Sequence, residues 1–126
     1  MPEPLLLVED DESLRSTVAR HLRRHGFTVI EAPTAEDARA ALEAGLRPGL
    51  VLLDLNLPGD TGWDLVREGP LADPAGPPVV IVSAIPVAPR QLAEHHVAGY
   101  LPKPFPLETL VSLVERTLLP QPATDA

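Results

Sequence analysis

The chain has 126 residues, 16 prolines, no cysteine and a formal charge of −8. A chain of this length supports one hydrophobic core and leaves two independent cores marginal, and its acidic balance argues against direct binding to a nucleic-acid backbone, which depends on clustered Lys and Arg. The lack of cysteine excludes a disulfide scaffold, thiol catalysis and Cys-ligated zinc, and the longest apolar runs, such as Leu5 to Val8, are far too short to span a bilayer.

Leu5-Leu6-Leu7-Val8 is continuously apolar, the pattern of a strand covered on both faces in a parallel sheet. After Glu9-Asp10-Asp11, in which Asp11 reads as a helix cap with Glu12 in the first turn, Leu14, Val18 and Leu22 step by four and predict a first helix. Gly26 stands just past its end, where a left-handed residue is wanted. Phe27 to Ile30 predicts the second strand. Thr34, with Asp37 at capping-box distance, precedes Ala38, Ala41 and Leu42 of a second helix closed by Gly45. Leu50-Val51-Leu52-Leu53 is the third strand, and Gly69-Pro70 cuts the following helix short. Val79-Val80-Ile81-Val82 is the fourth, with Pro86 and Pro89 crowding the start of the helix after it. Gly99-Tyr100-Leu101 is a short fifth strand. Pro106 lies near the first turn of a last helix striped by Leu107, Leu110, Val111, Val114 and Leu118. The prolines fall between apolar runs and punctuate them. This alternation predicts an α/β fold built on a doubly wound parallel sheet, with ligands at the carboxyl ends of the strands. The domain is expected to span residues 1–119, with 120–126 a disordered tail or the start of a linker.

Those carboxyl ends carry polar groups: Glu9-Asp10-Asp11 after the first strand, Asp54 after the third, Ser83 after the fourth and Lys103 after the fifth. Carboxylates brought within roughly 4 Å repel by about 4 kcal/mol per pair at an effective dielectric near ~20. Such a cluster calls for a cation. An all-oxygen site without Cys or paired His suits a hard ion, Mg²⁺ first, bound with waters and a substrate phosphate. Lys103 adds a point positive charge for the same phosphate.

From Leu5 to about Leu119 the sequence resembles the receiver domain of two-component response regulators, a CheY-like superfamily. The resemblance rests on four segments in order: "LLLVEDDESLR", "VLLDLNLPGDTGWDL", "VVIVSA" and "GYLPKPF". It implies a flavodoxin-like five-stranded sheet of order 2-1-3-4-5. It implies that Asp54 is the phospho-acceptor and that Glu9, Asp10, Asp54 and the backbone carbonyl of Asn56 hold Mg²⁺, directly or through water. It further implies that the Ser83 hydroxyl swings toward the phosphoryl group, that Tyr100 changes rotamer with it, and that Lys103 pairs with a phosphoryl oxygen. The implied donor is a phosphohistidine on a sensor histidine kinase or phosphotransfer protein. The implied output is a downstream protein on the face of the fourth helix, fifth strand and fifth helix. A second copy of the chain is a further candidate partner. The expected location is cytoplasmic. The domain is expected to be a signalling module and not an enzyme, limited to self-phosphorylation from small donors and slow autodephosphorylation.

Some positions depart from the family pattern. The run from Ser83 to Lys103 is about two residues short, and Ile85-Pro86-Val87-Ala88-Pro89 stands where the fourth helix normally begins. His96 replaces a common turn glycine, Thr61 a frequent Asp, and Pro102 joins Pro104 in flanking Lys103. The histidines His21, His25, His95 and His96 have no acidic ligand segment beside them and read as solvated helix residues, while Trp63 is expected to pack the start of the third helix. Two other functions fit parts of the pattern. A phosphorylation-independent pseudo-receiver would share the fold and use the odd 84–89 segment. A haloacid-dehalogenase-like phosphohydrolase also opens on a strand-end Asp, but it wants a second acid two residues on, where this chain has Asn56.

Overall fold

The computed structural model describes residues 3–57, 62–67 and 69–118; the expected tail at 120–126 and Thr61 lie outside these residues. The elements alternate as β1 (Leu5–Val8), α1 (Glu12–Arg24), β2 (Val29–Ala32), α2 (Ala35–Glu43), β3 (Leu50–Asp54), α3 (Gly62–Arg67), β4 (Val79–Ser83), α4 (Pro89–Glu94), β5 (Gly99–Pro102) and α5 (Leu107–Leu118), with a 3-10 turn at Gly69–Ala72. The sheet is parallel throughout, in the order β2-β1-β3-β4-β5.

Every residue of β1, β3 and β4 is buried. These strands occupy the middle of the sheet, and successive side chains feed opposite cores. Leu5, Leu7, Leu50, Leu52, Val80 and Val82 pack against Val18 and Leu22 of α1 and Leu110 and Val114 of α5. Leu6, Val8, Val51, Leu53, Val79 and Ile81 pack against Ala38 and Leu42 of α2 and Leu65 and Val66 of α3. A polar side chain at any of these positions would enter one core or the other, which is why the sequence runs are unbroken. No helix among the described residues is long and apolar enough to cross a membrane.

The second strand begins at Val29 and not at Phe27. Phe27 is consumed by the helix before it: its N–H bonds the Leu22 carbonyl at 3.2 Å and the Gly26 N–H bonds the Arg23 carbonyl at 3.0 Å, with Gly26 at φ 92°. This pair of bonds is a Schellman cap. The end of α2 repeats it, with Leu46 to Ala41 at 3.0 Å, Gly45 to Leu42 at 3.1 Å, and Gly45 at φ 108°. It recurs after α4, where Val97 bonds Leu92 at 3.1 Å and His96 bonds Ala93 at 3.3 Å. Here the left-handed residue is His96, at φ 54°. The turn thus keeps its form without glycine, and His96 lies in the cap and not in a helix.

The two short helices are short for the reasons the prolines and glycine suggested. Helix α3 has 6 residues and ends at Arg67, with the 3-10 turn starting at Gly69, while α4 has 6 residues, begins at Pro89 and has none of its residues fully buried. Half-buried Leu92 and the ring of His95, 4.8 Å from that of Trp63, hold α4 against the domain. His95 is therefore a packing residue. His21 also departs from expectation: it is half-buried one turn beyond Val18, its Nε2 is enclosed without a hydrogen-bond partner, and its ring lies 4.8 Å from His25.

A left-handed conformation costs a residue with a Cβ roughly 1–2 kcal/mol. His96 is exposed, so its side chain returns little of that cost. We expect His96→Gly to raise the unfolding free energy by about 1 kcal/mol in urea denaturation. A neutral or destabilising change would mean that the imidazole contributes a contact of equal size.

Candidate functional site

The ladder register assembles the site. Val8 pairs with Leu53, so Glu9 and Asp54 emerge side by side where β1 and β3 end. Asp54 pairs with Val82, Ser83 pairs with Pro102, and the Lys103 N–H bonds the Ser83 carbonyl at 2.9 Å. Residues spread over most of the chain thus meet at one sheet edge. Glu9 and Asp54 are each 3% exposed and Ser83 is 1% exposed. Among the described residues these three are the buried polar or charged ones, and all three stand at strand ends.

Lys103 Nζ lies 2.8 Å from Glu9 Oε1 and 3.2 Å from Asp54 Oδ2. Backbone amides take the other oxygens: Asn56 N–H donates to Asp54 Oδ1 at 3.0 Å and Asp11 N–H donates to Glu9 Oε2 at 3.1 Å. Asn56 itself is exposed. One ammonium is shared by two buried carboxylates. Burial pushes the Glu9 carboxyl up to about 7, and the field of Asp54 adds to the rise, while the bonds from Lys103 and the Asp11 amide only partly oppose it. Burial works against the charge of Lys103, but its hydrogen bond to Glu9 and the fields of Glu9 and Asp54 prevail and raise its pKa.

Asp10 is exposed beside this pair, and one carboxylate oxygen each from Glu9, Asp10 and Asp54 lie within 4.8 Å of one another. Three carboxyl oxygens at this spacing, without sulfur or imidazole, fit a hard divalent cation.

Ser83 belongs to the same edge but faces elsewhere. Its Oγ donates to the Ile85 carbonyl at 2.9 Å and accepts from the Ile85 N–H at 3.0 Å, a local turn closed on itself. Tyr100, half-buried on β5, pairs in register with Ile81 and packs against the core that contains α2 and α3. Gly62, at the start of α3, approaches the end of β3 so closely that a Cβ there would stand 2.6 Å from the Asp54 carbonyl oxygen. Its N–H bonds the Leu55 carbonyl at 3.2 Å.

One member of the surroundings was not foreseen. Arg15 Nη1 donates to the Glu9 carbonyl at 2.9 Å, and its Nε meets Glu31 Oε1 at 3.3 Å. The sign was present in the spacing, since Arg15 stands four and seven residues before the buried Ala19 and Leu22 and thus on the inward stripe of α1.

The sequence model of the response regulator receiver domain matches residues 5–115. Protein PetR of Rhodobacter capsulatus is 37% identical over 116 residues, covering 89% of this chain and 47% of PetR. Transcriptional activator protein PfeR of Pseudomonas aeruginosa is 39% identical over 115 residues, covering 87% of this chain and 36% of PfeR. The chain thus spans about half or less of these relatives. The non-phosphorylated HemR receiver domain of Leptospira biflexa superposes with a TM-score of 0.82 at 32% identity, covering 95% of this chain and 98% of that one.

The state of Glu9 makes stability depend on pH. The carboxyl keeps its proton up to about 7 when folded but only to 4.5 when unfolded, so the folded form binds more protons between those values and stability falls as pH rises through the window. In metal-free protein we expect a loss on the order of 2–3 kcal/mol between about pH 5 and about pH 8, measured by urea denaturation. Glu9→Gln should remove that slope; an identical slope in both proteins would place the titrating group elsewhere.

Proposed function

Because the chain belongs to the response regulator receiver domain family, we propose that it is a phosphorylation switch whose acceptor is Asp54 and whose cofactor is Mg²⁺. The observation that carries this reading is the placement of Asp54: 3% exposed at the end of β3, tied to Lys103 Nζ at 3.2 Å and grouped with Glu9 and Asp10. A carboxylate so enclosed and so short of positive charge is costly unless a charged ligand completes it.

In this reading Glu9, Asp10 and Asp54, with the carbonyl of Asn56, hold Mg²⁺. When bound, the ion neutralises charge on the carboxylates and the incoming phosphoryl oxygens. An oxygen of Asp54 attacks the phosphorus of a phosphohistidine on a kinase or phosphotransfer protein. The new O–P bond forms as the P–N bond breaks, and the bonding pair returns to the imidazole. The Asn56 and Lys103 donors orient the acceptor carboxylate, and Lys103 is placed to follow the charge onto a phosphoryl oxygen. Return of the group to water breaks the same O–P bond and restores Asp54. The domain is a signalling module and not an enzyme: beyond accepting the phosphoryl group, its chemistry is at most self-phosphorylation from small donors and slow autodephosphorylation.

Phosphorylation adds charge and acceptor oxygens to Asp54. Ser83 then exchanges its turn bonds with Ile85 for a phosphoryl oxygen, and Tyr100, three residues past Val97 at the end of the α4 cap, moves with it. The population shifts toward this arrangement, and a partner reads it on α4, β5 and α5. PfeR is named a transcriptional activator; for the present chain, with its charge of −8, the reading is a protein contact and not a DNA contact.

Intact-mass spectrometry after incubation with Mg²⁺ and acetyl phosphate tests this directly. We expect one phosphoryl adduct on wild type and none on Asp54→Asn. A folded wild-type protein that takes no adduct, from acetyl phosphate or from a histidine kinase, would favour a phosphorylation-independent interaction module.

A further inference from the structure

Two arginines bind the same carboxylate behind the acidic turn. Glu31, on β2, gives Oε1 to Arg15 Nε at 3.3 Å and Oε2 to Arg23 Nη1 at 3.1 Å. Arg23 Nη2 also holds the Val29 carbonyl at 2.8 Å. The Arg15 side chain is only 14% exposed, too enclosed for an ordinary surface pair, and its remaining contact is the backbone carbonyl of Glu9 at 2.9 Å.

That carbonyl belongs to the peptide unit that joins Glu9 to Asp10. The unit is planar, so fixing its oxygen fixes the direction in which the chain leaves Glu9 and presents Asp10. Residue 9 is already held at its amide by the Ala32 carbonyl at 3.1 Å and at its side chain by the Asp11 amide at 3.1 Å. Asp10 is exposed, so burial does not define its position; the peptide plane before it does. A guanidinium so close to a cation site would repel the cation unless its charge were offset. Glu31 supplies that offset and also orients the guanidinium.

We propose that Arg15 is a positioning residue for divalent-cation binding, acting through the Glu9–Asp10 peptide, and that Glu31 is its counter-charge. The inference rests on the Mg²⁺ reading given above and assigns it two residues outside the carboxylate cluster. Arg15 is not a ligand. It sets the geometry of one, in the manner of the hydrogen-bonded groups that orient metal ligands elsewhere.

The test is Mg²⁺ affinity by isothermal titration calorimetry, together with the metal-free melting temperature, for wild type, Arg15→Ala, Arg15→Lys and Glu31→Gln. We expect Arg15→Ala to weaken Mg²⁺ binding by about 10–100-fold. Arg15→Lys keeps the charge but not the fork that reaches both Glu9 and Glu31, and is expected to lose nearly as much. Glu31→Gln removes the counter-charge and keeps an acceptor for only one of the two arginines, so the part of its loss that comes from charge should shrink at high salt. A folded Arg15→Ala that melts earlier but binds Mg²⁺ like wild type would overturn the proposal. If that variant does not fold, unchanged affinity in both Arg15→Lys and Glu31→Gln at low salt overturns it equally. Absence of Mg²⁺ binding in wild type would instead defeat the metal reading itself, and this inference with it.

Discussion

The structure depends on one shared cation: Lys103 Nζ lies between the buried carboxylates of Glu9 and Asp54, at 2.8 and 3.2 Å. Two like charges side by side are unfavourable in a medium of low dielectric, and a single ammonium cannot neutralise both. The protein tolerates the arrangement because its strands leave no freedom to relax. β1 and β3 are locked in parallel register up to Val8 and Leu53, and the two cores behind them consist of close-packed aliphatic side chains. Protonation of Glu9 near neutrality is the molecule's partial answer to the charge imbalance. A divalent cation would be a fuller one.

The same cluster is mechanically connected to the far edge of the sheet. The Lys103 amide is bonded to the carbonyl of Ser83, and the Ser83 hydroxyl is bonded to Ile85 at the start of the segment that leads into α4. Helix α4 is shallowly held, with no fully buried residue and a ring contact between His95 and Trp63. Trp63 in turn follows Gly62, whose close approach to the Asp54 carbonyl admits no side chain. Asp54, Lys103, Ser83 and α4 are therefore neighbours in one contact network, and in the proposed reading a new charge on Asp54 biases that network between two packings.

Legibility in the sequence followed burial. β1, β3 and β4 are plain as unbroken apolar runs because they are covered on both faces, and Glu9, Asp10, Asp54, Ser83 and Lys103 stand out as polar groups at the ends of such runs. The edge strand β2 reads two residues early in the sequence because a half-exposed strand shows only half a pattern, and because Phe27 is apolar on account of a helix cap. The histidines resisted sequence reading for a similar reason. An imidazole tolerates a core flank, a ring contact or a left-handed turn, and His21, His95 and His96 each adopt a different one. Arg15 shows in the sequence only as a member of the inward stripe of α1; its role does not, because its partners, the Glu9 carbonyl and Glu31, lie on other elements and a backbone acceptor leaves no mark there.

The charge imbalance at the sheet edge is tested most directly by thermal unfolding of wild type and Asp10→Asn with and without Mg²⁺. Wild type should gain about 2.7 kcal/mol at a hundred times the dissociation constant, seen as a rise in Tm, and Asp10→Asn should lose most of that gain. A wild-type Tm indifferent to Mg²⁺ at every concentration would contradict the account, leaving the three carboxylates as a structural cluster satisfied by Lys103 and the backbone alone.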